Sequence, residues 1–306
     1  MGELDGRVAI VTGAGRGLGR AHALALAAEG AAVVVNDLGG ATDGSGGDPG
    51  PAGAVVTEIA GRGGAAMADH GNVSEARTAA RLVETALQEF GRLDIVVNNA
   101  GILRDRMSFN LSDEDFEAVL RVHLYGHFYL CRAAGAHWRA RGKAGEKVSG
   151  RIVNTTSESG LFGNAGQINY AAAKAGIAAM TVVLARELER FDVTVNAVAP
   201  RAATRLLGGA PAQPADTDGP LDPSNVAPWV VFLCTDAAAG ITGQVFTVWG
   251  GRVQRVQGWT PAEHIDTDGR WTLATLREAA PRLFPPGGHT GVPPFYPVLD
   301  MSGAAP

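Results

Sequence analysis

The 306-residue chain is poor in cysteine, lysine and tyrosine, with two, three and four of each, and aromatic residues make up only 6% of it. The two cysteines, Cys131 and Cys234, lie in apolar helical patterns, so they offer no disulfide framework and read as buried free thiols of a reducing compartment. Basic charge is not in excess either. Against 26 Lys and Arg stand 31 Asp and Glu, a formal net charge of −5, which removes the electrostatic reason for a nucleic acid or an anionic membrane as partner. No apolar run of membrane-spanning length stands out, and MGELDGRVAIVTG enters a strand pattern without the basic and apolar regions of a signal peptide. A cytoplasmic protein is expected. The seven histidines are scattered, no grouping has metal-ligand spacing, and no internal repeat is visible.

What the chain does have is an alternation. Apolar, β-rich runs recur at 7–11, 32–36, 65–68, 94–98, 151–155, 193–197 and 244–248, most of them followed by helix-like stretches. Runs such as VAIVTG and LDIVVNNAG are apolar at successive rather than alternate positions, the mark of central strands covered on both faces. The pattern predicts an α/β fold: a single Rossmann-type, doubly wound parallel sheet of about seven strands over residues 1–256. Ser112 with Asp115 three residues on resembles a capping box, and Ser74 precedes another helical segment.

Three stretches break the rhythm. Residues 38–52, LGGATDGSGGDPGPA, form a long glycine-rich connection, either an insertion or a lip over the adenosine end of a cofactor. Residues 201–223 combine Gly, Pro and Asp where a lid over an active site would lie. From residue 257 the pattern dissolves, and eight of the sixteen prolines fall in 261–306, so 257–306 reads as a proline-rich extension forming an extended arm.

Two motifs carry chemistry. In TGAGRGLG, Gly13, Arg16, Gly17, Leu18 and Gly19 follow a strand and open a helix, whose N-terminal amides and dipole face any anion in the turn; glycines let backbone approach phosphate closely. Asp37 ends the second strand, where a carboxylate accepts hydrogen bonds from the adenosine ribose hydroxyls and repels a 2′-phosphate. This favours NAD over NADP, although Arg16 in the turn offers a phosphate partner. Asn72 and Val73 are placed at the adenine. Asn99, Ala100 and Gly101 close the fourth strand beside the ribose, unless the asparagine only ties strands together.

Tyr170 and Lys174 stand four apart on a helix and therefore share a face, with Cβ atoms ~5–6 Å apart. With so few tyrosines and lysines, such a pair is an uncommon coincidence. Lowering the phenol from about 10 to near 7 requires about 4 kcal/mol of preference for phenolate, within reach of a desolvated Lys174 and a positive nicotinamide. Ser157, thirteen residues before Tyr170 at the end of strand RIVNTTS, is placed to hold a substrate oxygen against the phenol.

Over about residues 5–251 these motifs resemble the short-chain dehydrogenase/reductase family: TGAGRGLG its glycine turn, NNAG its central-strand motif, Ser157, Tyr170 and Lys174 its catalytic triplet. The resemblance implies a tyrosine general acid–base, a serine orienting the substrate oxygen, and a lysine that lowers the tyrosine pKa and binds the nicotinamide ribose. Pro200 matches the family's proline after the sixth strand, but Arg201 replaces the glycine that usually follows, and Thr204 is the candidate for the carboxamide side. The family's further catalytic asparagine is replaced by His123, either a packed helix residue or a participant in the same proton relay. His123, VVVNDLGG, GILRDRMSF and FGNAGQINYAAAKAG are similar to the (3R)-hydroxyacyl-CoA dehydrogenase unit of type 2 peroxisomal multifunctional enzymes, some of which act on steroids. The implied activity is NAD-dependent oxidation of a small-molecule or acyl-CoA secondary alcohol. An NADPH-dependent 3-oxoacyl carrier-protein reductase, a free hydroxysteroid dehydrogenase and a non-catalytic dinucleotide sensor are the rivals. The family also implies a homotetramer or homodimer with residues 112–141 and 169–190 paired between subunits.

Overall fold

The computed structural model describes residues 2–204 and 219–284, so most of the expected lid segment lies outside the described residues. Two compact units are present, Met1–Val256 and Gln257–Pro306. In the first, β1 (Val8–Thr12), β2 (Ala32–Asn36), β3 (Ala66–Asp69), β4 (Ile95–Asn98), β5 (Arg151–Thr155), β6 (Thr194–Pro200) and β7 (Val245–Trp249) run parallel. An eighth strand, β8 (Arg252–Val256), returns antiparallel to β7, in the order β3-β2-β1-β4-β5-β6-β7-β8.

The successive apolar residues of the strands feed two separate cores. Ala9, Val11, Val33 and Val35 point to the face covered by α1 (Gly17–Ala28), α2 (Gly50–Gly61) and α8 (Ala227–Leu233). Val8, Ile10 and Val34 point to the face covered by α3 (Ala76–Phe90), α5 (Gly126–Lys143) and α7 (Ile168–Leu188). The remaining helices are α4 (Asp113–Leu120), α6 (Glu158–Phe162) and, in the second unit, α9 (Leu273–Ala279). Strand order reverses between β1 and β4, and the crevice at their carboxyl ends is where such sheets bind ligands.

Several elements differ from expectation. β8 has a largely exposed pattern and follows a tight Gly250–Gly251 turn, so it carries none of the buried-run signature that marks the central strands. The extension is not simply an arm: α9 forms from LATLREA and is closed by a capping box between Thr272 and Thr275. Ser74 does not cap α3. Its amide donates to the Asn72 side chain, and the N-cap position is Glu75. Ser112 does cap α4, accepting from the Asp115 amide at 3.2 Å, but the Asp115 carboxylate turns to Arg104 instead of completing the box. The helical stretch Ile168–Phe191 is, by length and composition, apolar enough to cross a membrane, contrary to the sequence expectation. Its Ala185 and Leu188 join the core on the α5 side of the sheet, and it carries the tyrosine and lysine of the site.

His22 on α1 is buried, its Nδ1 has no partner among the described residues, and burial lowers its pKa from 6.5 to about 4. The unfolded chain then binds more protons than the folded one below pH 6.5, so stability is retained above 6.5 and lost progressively as the pH falls to about 4. Urea titrations of His22→Gln are expected to lose ~3 kcal/mol less than the parent across that window. Identical pH dependence in the two proteins would refute the assignment.

Candidate active site

The glycine turn is shaped by contacts that exclude side chains. Gly13 has φ +61°, and a Cβ there would lie 2.7 Å from Ala100 Cα; a Cβ at Gly19 would lie 2.1 Å from the Gly13 carbonyl oxygen. Helix α1 begins without a side-chain cap or an acidic residue in its first turn, which leaves its leading amides for an anion. A dinucleotide pyrophosphate fits this cradle. Gly17, at φ +53°, lies beside Thr204, so the segment after β6 borders the same turn.

Asp37 is locked against the turn. Its Oδ2 accepts from Gly15 N at 2.7 Å and its Oδ1 from Gly39 N at 2.7 Å. The Arg16 guanidinium has no partner among the described residues. Asn99 behaves as a strand tie: Nδ2 donates to the carbonyls of Thr12 and Gly13, while its own amide and that of Ala100 donate to Thr12 Oγ1. Asn72 orders its own turn through Ser74, and Val73 packs beside Gly126 at the start of α5.

Ser157, Tyr170 and Lys174 come together beyond the ends of β5 and β6. Ser157 sits at the N-cap of α6, with Oγ accepting from Ser159 N at 3.2 Å. Tyr170 and Lys174 occupy successive turns of α7, with Nζ 5.5 Å from the phenol ring centroid. Lys174 is buried, its Nζ donates to the Thr155 carbonyl at 2.6 Å, and burial lowers its pKa from 10.5 to about 7. The expected lowering of Tyr170 is not what this environment produces by itself. Burial, reinforced by the charge of Asp105, raises the phenol above its usual value, with the Ser157 hydrogen bond opposing. Lys174 is turned toward the Thr155 carbonyl, and its own charge is weakened by burial.

Between α4 and α5 the helix widens into one π-helical turn, Arg121–Tyr125, which places His123 in the site. The imidazole is buried and edge-on to Tyr170, with centroids 5.1 Å apart. Its Nε2 lies 3.1 Å from Ile102 N and 2.8 Å from Ile102 O, so the tautomer decides which bond forms. Burial and Lys174 lower its pKa well below 6.5, leaving it neutral, and Nδ1 has no partner among the described residues. These contacts favour the packed reading of His123: it grips the backbone after NNAG.

Pro200 ends β6, and Arg201, in place of glycine, forms a forked ion pair with Glu158 (2.6 Å on each arm) and lies 4.4 Å over the Trp249 ring. Sequence reasoning missed Glu158, His127 and Asn169. Asn169 is buried immediately before the tyrosine: Oδ1 accepts from Tyr170 N at 2.8 Å, and Nδ2 donates to the carbonyl of Arg104 at 3.0 Å. A fully polar residue opening an otherwise apolar helix was the available signal.

A family model described as short chain dehydrogenase matches residues 7–205. Among curated proteins, the hydroxyacyl-CoA dehydrogenase ChsB1 of Mycobacterium tuberculosis is 48% identical over 90% of this chain and 89% of its own length. The mouse peroxisomal multifunctional enzyme type 2 is 45% identical over 83% of this chain, which spans 33% of that longer protein. A 3-oxoacyl-[acyl-carrier-protein] reductase of Synechocystis is 46% identical over 83% of this chain and 99% of its own length. A solved short chain dehydrogenase from Mycobacterium avium superposes with a TM-score of 0.83 at 52% identity, covering 90% of this chain and 93% of that one. With the sheet, the glycine turn and the Ser157–Tyr170–Lys174 group in place, the chain belongs to the short-chain dehydrogenase family and is an oxidoreductase that uses a nicotinamide dinucleotide.

Proposed function

We propose that the protein oxidises a (3R)-3-hydroxyacyl-CoA to the 3-ketoacyl-CoA with NAD. The reading is carried by Tyr170 and buried Lys174 on successive turns of α7, with Ser157 at the N-cap of α6, in a chain 48% identical to a hydroxyacyl-CoA dehydrogenase. Ser157 holds the substrate oxygen against the phenol, and Tyr170 takes the hydroxyl proton as the carbinol hydrogen leaves as hydride. The bound cofactor supplies the hydride acceptor and a positive ring that favours phenolate. Lys174 holds the ribose side and adds its charge when protonated; Asn169 fixes the Tyr170 backbone; His123 braces Ile102 and walls the phenol. Gly13, Leu18 and Gly19 cradle the pyrophosphate, Asp37 receives the adenosine ribose, and Pro200 and Thr204 border the carboxamide.

Production of NADH from NAD and a chain-length series of (3R)-3-hydroxyacyl-CoAs, one of them steroid-bearing, tests the reading against the (3S) epimers and NADP. Turnover confined to NADP, or to free hydroxysteroids, overturns it. Arg16, whose guanidinium has no partner among the described residues, and the Synechocystis reductase favour a second reading, an NADPH-dependent 3-oxoacyl carrier-protein reductase. Asp37 separates the two. If its carboxylate excludes a 2′-phosphate, Asp37→Ala is expected to raise the NADP/NAD ratio of kcat/KM by roughly tenfold or more, about 1.4 kcal/mol. An unchanged ratio favours the reductase.

The assembly we propose is a homotetramer or homodimer paired through α5 with the π-helical turn before it and α7, where Tyr125, Phe128, Ile168 and Val183 leave apolar side chains exposed. A cytoplasmic location is proposed on the two buried, unpaired thiols.

A further inference from the structure

The glycine-rich connection after Asp37 folds back on itself, with Ala41 N donating to Ser45 O and Asp48 N to Leu38 O. Its tip does not end in solvent. Leu103 N donates to Thr42 O at 2.9 Å, Arg104 Nε donates to Asp43 O at 2.8 Å, and a Cβ at Gly44 would touch Ile102. From the same short segment, contacts run the other way. Arg104 Nη1 donates to Asp115 Oδ1 at 3.0 Å, and the Arg104 carbonyl accepts from Asn169 Nδ2, whose Oδ1 holds Tyr170 N. Arg106 N donates to Gly166 O, and Gln167 Nε2 to Asp105 Oδ2 at 2.7 Å.

We infer that Arg104 is a positioning residue that fastens the loop beside the adenosine-binding carboxylate to the first turn of the tyrosine helix. One residue does both, by its side chain toward the loop and α4 and by its carbonyl toward Asn169. The fork matters: Nε and Nη1 serve partners on different elements, which the single ammonium of lysine does not reproduce. The consequence is that order imposed on the loop by the adenosine half of a cofactor is transmitted to the catalytic phenol. This inference rests on the dinucleotide reading only for its functional meaning; the linkage itself is present in the free protein.

The test is amide hydrogen exchange over peptides covering 164–172, first without cofactor, in the parent, in Arg104→Ala, in a loop variant with 41–46 replaced by Gly-Gly, and in the double variant. Each single change is expected to speed exchange there by about tenfold, and the double change to add little, because both cut one linkage. Arg104→Lys is expected to fall between parent and alanine. Added ADP-ribose, which has no nicotinamide, is expected to slow exchange over 164–172 in the parent but not in Arg104→Ala. In turnover, Arg104→Ala is expected to lower kcat at saturating NAD, beyond any rise in KM. Unchanged exchange at 164–172 in the loop variant, or additive effects in the double variant, overturns the inference whether or not the protein turns over acyl-CoA. An Arg104→Ala protein too unstable to measure leaves Arg104→Lys and the loop variant to decide on the same criteria.

Discussion

Tyr170→Phe is expected to lower kcat by roughly 10³-fold while leaving the dissociation constant of NADH within about twofold. The substitution removes one oxygen from a half-buried ring and leaves its edge contact with His123 intact. Burial and the charge of Asp105 raise the phenol pKa in the free protein, so the work of forming phenolate falls to the bound cofactor and to Lys174. Two measurements separate chemistry from binding: a stopped-flow hydride-transfer rate with the hydroxyacyl-CoA, and fluorescence titration with NADH. A fall in both, or in neither, contradicts the assigned role.

Lys174→Met is expected to abolish most turnover and, at neutral pH, to stabilise the fold. The lysine pKa drops from 10.5 in the unfolded chain to about 7 in the folded one. Between those values the unfolded state binds more protons, so this group's contribution to stability is full above pH 10.5 and declines as the pH falls toward 7. The cost at neutral pH is ~5 kcal/mol, partly returned by the bond to the Thr155 carbonyl. Methionine fills a similar volume without that cost. Tm is expected to rise by several degrees at pH 7, and the gain to shrink toward pH 10. A lower Tm at pH 7 would show that the Thr155 bond outweighs the desolvation. An active site that retains an ammonium at such expense is a case of function set against stability.

Six of the parallel strands were readable because their residues are apolar in succession, as two-sided burial favours, and the edge strand β3 because it lies between two helical stretches. β8 was not, because it is a short exposed return whose pairing is fixed by its neighbour β7 rather than by its own composition. The glycine turn and the Ser157–Tyr170–Lys174 spacing were legible for a related reason: each is local, and local geometry fixes its chemistry. Asn99 was read both ways, and the contacts with Thr12 and Gly13 make it a tie between β1 and β4. Arg104, Glu158 and Asn169 gave little signal, since each has a partner that lies 43 to 65 positions away along the chain. Four-residue spacing makes Tyr170 and Lys174 neighbours but leaves open which way the ammonium points; in the free protein it donates to the Thr155 carbonyl.

The ring of His123 and the bare backbone of Gly101 occupy one another's space: a Cβ at residue 101 would stand 2.3 Å from His123 Cε1. Alanine at 101 is therefore expected to push the imidazole off Ile102, whereas a smaller side chain at 123 makes room for it. The two positions are then coupled: the effect of Gly101→Ala is expected to be smaller in a His123→Ala background than in the parent.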